Sequence, residues 1–307
     1  MMKLGANQIV AVKEFNKKMA ENAYHIEHVA CLCKSINYKK ISHIDWYGLW
    51  NPVVICRDCG LIYANPHLTS ESYKLFYSSD EYRRIYEEET NYIECAQKRF
   101  NNEYGQHIFN EIYPIVKDKK HYDIMEFGCA AGWNLTPFFN EGYHVTGYDY
   151  SPSLVALGRS RGLNLIVGSF QEIIGEYDAI ILNHVIEHFT NFFQSMRDII
   201  SHLKKGGIIY IAVPDMDNFG AGQFQNAHVY YFTKRTLTYY LTLLGLREIK
   251  SGTVQMTHMY GIYEVDQSPA LAHIDLKKEY TVMLKKAMFS KFKSIIRNVY
   301  HSVSPRA

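Results

Sequence analysis

The chain has 307 residues, 47% hydrophobic and 21% charged, which excludes a largely disordered polypeptide and suggests two units or one core with long additions. Lys and Arg total 33 against 31 Asp and Glu, a net charge of +2 that leaves no global nucleic-acid footprint. No apolar run approaches the ~20 residues of a membrane-spanning helix, and the start, MMKLGANQIVAVKEFNKK, interrupts its apolar part with Asn7 and Gln8, so a cytoplasmic protein is expected.

Residues 1–70 hold a cysteine cluster among short β-leaning runs such as Pro52 to Ile55 and Leu61 to Ala64. Cys31, Cys33, Cys56 and Cys59 lie close together, while Cys95 and Cys129 stand alone. In a reducing compartment such clustering favours a metal over disulfides. Cys56-Arg57-Asp58-Cys59-Gly60-Leu61 reads as a zinc knuckle, two thiolates gripping one ion with Gly60 permitting the turn beneath. Cys31-Leu32-Cys33 is a tighter C-x-C pair, and His28 or His43 is an alternative ligand in place of one of its thiols. Residues 71–117 read as helical: Ile93, Phe100, Tyr104, Ile108 and Ile112 recur at near-helical spacing, with Pro114 predicted to end the helix.

From residue 118 to 266 strands and helices alternate. Strands are predicted at Tyr122 to Phe127, His144 to Tyr148, Leu163 to Val167, Tyr177 to Asn183 and Ile208 to Val213. Helices fall at Trp133 to Asn140, from the Ser151-Pro152 cap to about Arg161, and over Phe192 to Leu203. Parallel strands need crossovers, so this order predicts an α/β, doubly wound, Rossmann-like sheet. Arg247 to Val254 and His258 to Val265 are close enough for a terminal antiparallel pair.

The strongest constellation is Glu126-Phe127-Gly128-Cys129-Ala130-Ala131-Gly132, with Asp149 at the end of the second strand. Gly128 and Gly132 allow a tight strand-to-helix turn and close approach of backbone to ligand. A carboxylate at Asp149 can accept both hydroxyls of a ribose. A dinucleotide fold wants G-x-G-x-x-G, but the middle position here is Ala130, and no phosphate-cradling pattern remains.

Residues 121–265 resemble the class I S-adenosylmethionine (SAM)-dependent methyltransferases through EFGCAAGWNL, VTGYDYSPSLVALGRSRG, YDAIILNHVIEHF, LKKGGIIYIAVPD and AHVYYFTKRTLTYYLTLLGL, in the family's order and spacing. The resemblance implies that Glu126 and the loop Gly128, Cys129, Ala130 and Gly132 hold the methionine end of SAM. It places Asp149 on the ribose, Tyr150, Ser169 and Phe170 about the adenine, and Asn183 and His184 at the sulfonium. The family often has Asp where Ser169 stands. The N-terminal four-Cys module followed by CGLIYANPHLTSESYKLFYSSDEYR looks like the leader of sugar-modifying methyltransferases, in which the module is structural and helps cover the acceptor site. Tyr77 and Tyr82 are candidates to line that lid.

Methyl transfer to a hydroxyl needs an aligned acceptor and a group to take its proton, for which a mostly neutral His is suited. The candidates are His228, His188 and Glu187, with His184 beside them. Sugar C-methyltransferases have Glu-His where this chain has Ala227-His228, and they carry a large extra C-terminal domain. The reading is therefore O-methylation of a nucleotide-linked or surface-polysaccharide sugar. The alternatives are C- or N-methylation of a small metabolite, or an RNA methyltransferase guided by the zinc module. Lys34, Lys39, Lys40 and Arg57 against Asp45 and Asp58 make no dense basic stripe there, so nucleic acid is not expected as a partner. Residues 267–307 form a basic tail with Phe289, Phe292, Ile296 and Val299 on one helical face, suited to peripheral membrane contact or dimerisation.

Overall fold

The structure, a computed structural model, describes residues 4–86, 92–101, 105–117, 122–218, 224–266, 276 and 278–287. A helix, α1 (Ala6–Ala20), opens the chain where the sequence suggested only β-leaning runs; it buries Ala11, Val12 and Phe15 on one face. Short strands follow: β1 (Ile26–Glu27), β2 (Tyr38–Ile44), β3 (Trp50–Cys56), β4 (Ile62–Ala64) and β5 (His67–Leu68). Helices α2 (Ser70–Ser78), α3 (Asp80–Tyr86), α4 (Tyr92–Asn101) and α5 (Gln106–Val116) lead to the alternating region. The single helix expected over 91–113 is thus two. Pro114 lies inside α5 rather than ending it. Only one backbone donor is lost there, within the last turn, and Lys117 N still donates to Tyr113 O at 2.9 Å.

The alternating region runs β6 (Asp123–Phe127), α6 (Thr136–Asn140), β7 (His144–Asp149), α7 (Pro152–Arg159), β8 (Asn164–Val167), β9 (Tyr177–Asn183), α8 (Phe192–Ile200) and β10 (Leu203–Pro214). After it come β11 (Tyr230–Tyr231), α9 (Lys234–Leu243), β12 (Leu246–Val254) and β13 (His258–Val265). Ser151 caps α7 through its hydroxyl, which accepts from Leu154 N. The main sheet has seven strands in the order β12-β13-β10-β9-β6-β7-β8. β8, β7, β6, β9 and β10 are parallel, and β13 joins β10 antiparallel with β12 outside it. This is the Rossmann-like sheet with a terminal antiparallel pair that the alternation implied.

Side-chain alternation splits the core in two. Ile180, Leu182, Ile209 and Ile211 face one layer, while Ala179, Ile181, Ile208 and Tyr210 face the other, against Ile108 and Ile112 of α5 and Phe138 of α6. The first layer is shared with the N-terminal region: Phe15, Leu49, Val54, Leu61 and Tyr63 belong to the same core as Ile180 and Leu182. The two regions are joined by backbone as well. β11, far along the chain, completes the four-stranded sheet β11-β4-β3-β2, pairing Tyr230 with Tyr63 and Tyr231 with Ile62. Among the described residues no helix is long and apolar enough to cross a membrane. The apolar stripe of the C-terminal tail lies outside the described residues.

Candidate functional site

The glycine loop leaves the carboxyl end of β6 beside β9, where the direction of strand winding reverses and open α/β sheets bind ligands. Gly128 has φ +72°, a left-handed conformation, and an added Cβ would lie 2.8 Å from Val185 Cγ2, so both backbone and space call for glycine. The Gly128 and Cys129 amides donate to Tyr148 O at 2.8 and 3.1 Å, hooking the loop onto the end of β7. Ala130 is held at φ +50° with its N–H donating to Asp149 Oδ2 at 2.8 Å. Asp149 Oδ1 accepts from Ser151 N at 2.8 Å, so the carboxylate is fixed from both sides.

Glu126 is the penultimate residue of β6, just before the loop, and is 1% exposed. Its Oε1 accepts from Asn134 Nδ2 at 2.6 Å, whereas Oε2 is buried with no hydrogen-bond partner among the described residues. Burial raises its pKa to about 8, against the Asn134 hydrogen bond and with help from the Asp149 charge. Such a group suits a cationic ligand end. Around the expected adenine, Phe127 lies edge-on to Tyr150 at 6.2 Å and to Phe170 at 6.1 Å, and Phe170 meets Phe189 at 6.2 Å. Phe127 and Phe189 were not singled out in the sequence, because aromatics are too common there for two to stand out. Ser169 caps the short 3-10 turn Phe170–Glu172, and both its amide and its hydroxyl donate to the Glu172 carboxylate. The polar groups of Ser169 are thus engaged locally.

Across the mouth lies a cluster of imidazoles around one buried carboxylate. β9 ends at Asn183, and His184 follows at φ +57°, turning the chain into the 3-10 segment Ile186–His188. His184 Nδ1 lies 3.2 Å from Glu187 Oε1, and His258 of β13 stands edge-on to His184 at 4.6 Å. Glu187 is 1% exposed. Burial opposes its charge, yet the His184 hydrogen bond and nearby His188 and His228 bring its pKa down to about 2. One ligating atom each from Glu187, His188 and His228 lie within 4.8 Å of one another, and the two rings meet edge-on at 4.8 Å. In the sequence His228 stands 40 and 41 positions from His188 and Glu187, with no geometric reason to join them; the loop before β11 does so, since Val229 N donates to Glu187 O at 2.8 Å.

His188 has a defined tautomer. The Ala227 carbonyl, 2.7 Å from Nδ1, can only accept, so Nδ1 carries the proton and a neutral ring keeps its lone pair on Nε2. Tyr77 Oη donates to the same carbonyl at 3.1 Å and lies 3.0 Å from His188 Nδ1. Tyr82 packs edge-on to Tyr77 at 5.0 Å, so both residues suggested for the lid border this cluster.

The cysteines converge as a second centre. The Sγ atoms of Cys31, Cys33, Cys56 and Cys59 all lie within 4.8 Å of one another, with Cys31–Cys59 at 3.4 Å and Cys33–Cys56 at 3.6 Å. Four thiolates about ~2.3 Å from one zinc ion would be about 3.8 Å apart. His28 and His43 are not among the residues brought together. Gly60, at φ +75°, turns the knuckle where a Cβ would strike the backbone of Glu279 and Tyr280, so residues 278–287 seal it. Tyr240 Oη donates to Cys59 Sγ at 3.1 Å, tying the centre to α9.

A family described as "Methyltransferase domain" matches residues 97–251, half of the chain. The ubiquinone biosynthesis O-methyltransferase of Rickettsia canadensis (strain McKiel) is 30% identical over 123 residues, covering 34% of this chain and 52% of that protein. Its counterpart in Rickettsia prowazekii (strain Madrid E) is 31% identical over 130 residues, covering 36% and 52%. The chain spans about half the length of the curated relatives it matches. Among solved structures, magnesium protoporphyrin IX methyltransferase from Synechocystis PCC 6803 with bound SAH is 15% identical, covers 57% of this chain and 88% of that one, and has a TM-score of 0.45.

Proposed function

Because the chain belongs to the methyltransferase-domain family, we propose that it is a SAM-dependent O-methyltransferase of a small polar acceptor. The observation that carries the reading is the convergence of Glu187, His188 and His228 at the carboxyl end of β9, beside the glycine loop. SAM supplies, when bound, a methyl carbon activated by positive sulfur. Glu126 fits its cationic amino-acid end, being a buried carboxyl with one oxygen unpartnered among the described residues. Asp149 fits the ribose, and Tyr150, Phe127 and Phe170 form an aromatic border for the adenine.

The chain's own part in the reaction is alignment and proton removal. The acceptor hydroxyl would pass its proton to His228, with His188 beside it. Ionised Glu187 stabilises the imidazolium that results. An acceptor hydroxyl suits this arrangement better than an acceptor carbon, since a hydroxyl proton needs only an imidazole. The N-terminal module supports a sugar as that acceptor, by its likeness to the leaders of sugar methyltransferases. The four-thiolate centre is proposed to hold one structural zinc ion, which supplies a tetrahedral cross-link between the two halves of the module.

Methylation by the full chain, measured with radiolabelled SAM over a panel of nucleotide sugars, tests the reading. His228→Ala should lower turnover about a hundredfold or more, the usual range for a general base, with adenosylhomocysteine affinity retained. Unchanged turnover in both His228→Ala and His188→Ala would remove the base assignment.

A further inference from the structure

The peptide that carries His228 is held largely from outside the methyltransferase core. Asn226 N donates to Asp45 Oδ2 at 3.1 Å and shares that donor with Tyr86 Oη at 3.1 Å, while Tyr86 Oη itself donates to Asp45 Oδ2 at 3.0 Å. Asn226 Nδ2 donates to Trp50 O at 2.5 Å, and Asn226 O accepts from Tyr73 Oη at 2.9 Å. Trp46 N donates to Phe224 O at 3.1 Å, and Ala64 N to Val229 O at 2.8 Å. Every one of these partners belongs to residues 45–86.

Asp45 is 4% exposed and uses its two oxygens differently. Oδ1 accepts from Tyr47 N at 2.8 Å and Leu49 N at 2.9 Å, closing the turn into β3. An asparagine oxygen would serve that turn equally well. Oδ2 accepts from Asn226 N and Tyr86 Oη, and a side chain that must accept at both of its ends is a carboxylate, since an amide would present its NH2 at one of them. Burial raises the Asp45 pKa to about 6 in spite of these hydrogen bonds, so the charge is unfavourable for the fold taken alone. A group kept ionised against burial points to a use beyond the turn.

We propose that Asp45 is a positioning residue for the acceptor-site histidines: its Oδ2 fixes the 226–228 peptide so that His228, and His188 through the Ala227 carbonyl, share one orientation beside Glu187. The inference rests on reading that cluster as the base, and it makes the N-terminal module part of the acceptor site rather than a cover over it. The link is short. Asn226 is two residues from His228, and Ala227 between them accepts from both Tyr77 and His188.

Asp45→Asn isolates the tether, because the amide oxygen can keep the turn while its NH2 opposes the Asn226 N–H. The test is hydrogen exchange of the full chain with adenosylhomocysteine bound, together with 15N signals of its histidines. Residues 225–231 should exchange at least about tenfold faster in Asp45→Asn, and the His188 Nδ1–H signal should weaken or shift. Exchange in β6, β7 and β9 and adenosylhomocysteine affinity should stay within about twofold. Unchanged exchange over 225–231 would overturn the assignment, and so would a uniform rise across the core, which marks a purely structural loss. Should Asp45→Asn not fold, Tyr86→Phe removes one of the two donors to Oδ2 and should loosen the same segment by a smaller factor; no loosening there overturns the proposal equally. The readout is loop order and ring environment rather than turnover, so its failure is distinct from failure of the base assignment.

Discussion

Glu126 shows how one buried side chain links recognition to protonation. With a pKa raised to about 8 it is mostly protonated at pH 7 in the ligand-free protein. A cationic amino group brought to Oε2 would favour the carboxylate, so binding should expel the proton. Calorimetry of adenosylhomocysteine binding at pH 7, in buffers of different ionisation enthalpy, should show release of close to one proton, and of almost none at pH 9. Glu126→Gln should abolish the release; release that persists in this variant would move it to another group. Residues of this kind were legible in the sequence because they sit in one short run: Glu126, the glycine loop and Asp149 declare themselves by spacing to strand ends. The His188–His228 pairing and the tie from Asp45 were not, since they join segments 39 or more residues apart and depend on one peptide's hydrogen bonds.

At the scale of elements, alternation carried the reading of the main sheet well, because strands buried on both faces keep a strong apolar signal at Ile180 to Leu182 and Ile208 to Val213. It failed where packing rather than pattern decides. The helix α1 has a narrow apolar face, and β11 is two residues long, invisible until β4 offers it an edge. That pairing predicts how far loss of the cysteine centre would travel. Cys56 ends β3, and Ile55 pairs with Ile62 of β4, which in turn pairs with Tyr231. Removing zinc by chelation, or Cys56→Ala, should therefore loosen β3, β4 and residues 225–231 together, while the glycine loop and β6 to β8 stay protected. Zinc analysis should give one ion per chain in the wild type and a clear loss in Cys56→Ala. Wild-type exchange rates over 225–231 after verified metal removal would show that the centre and the acceptor loop are independent.

For the whole molecule, the buried carboxyls of Glu187, Glu126 and Asp45 set opposing pH dependences on stability. Glu187, with a pKa brought down to about 2, contributes stability that is present above the unfolded value of about 4.3 and is lost as pH falls toward 2. Glu126 and Asp45 have raised values, about 8 and about 6, so the folded state holds their protons more tightly than the unfolded chain does. Their contribution is full below about pH 4 and declines as pH rises, ending near 6 for Asp45 and near 8 for Glu126. Between pH 6.5 and 8.5 the remaining decline among these three belongs to Glu126, and Glu126→Gln should flatten the fall in Tm over that interval. Adenosylhomocysteine should oppose it too, because a bound cation lowers the Glu126 pKa, so the Tm rise it causes should be larger at pH 8.5 than at 6.5. An equal fall in wild type and Glu126→Gln would place the titrating group elsewhere. The burial that makes Glu126 uneasy in the empty fold is then the same feature that couples ligand uptake to the stability of the sheet.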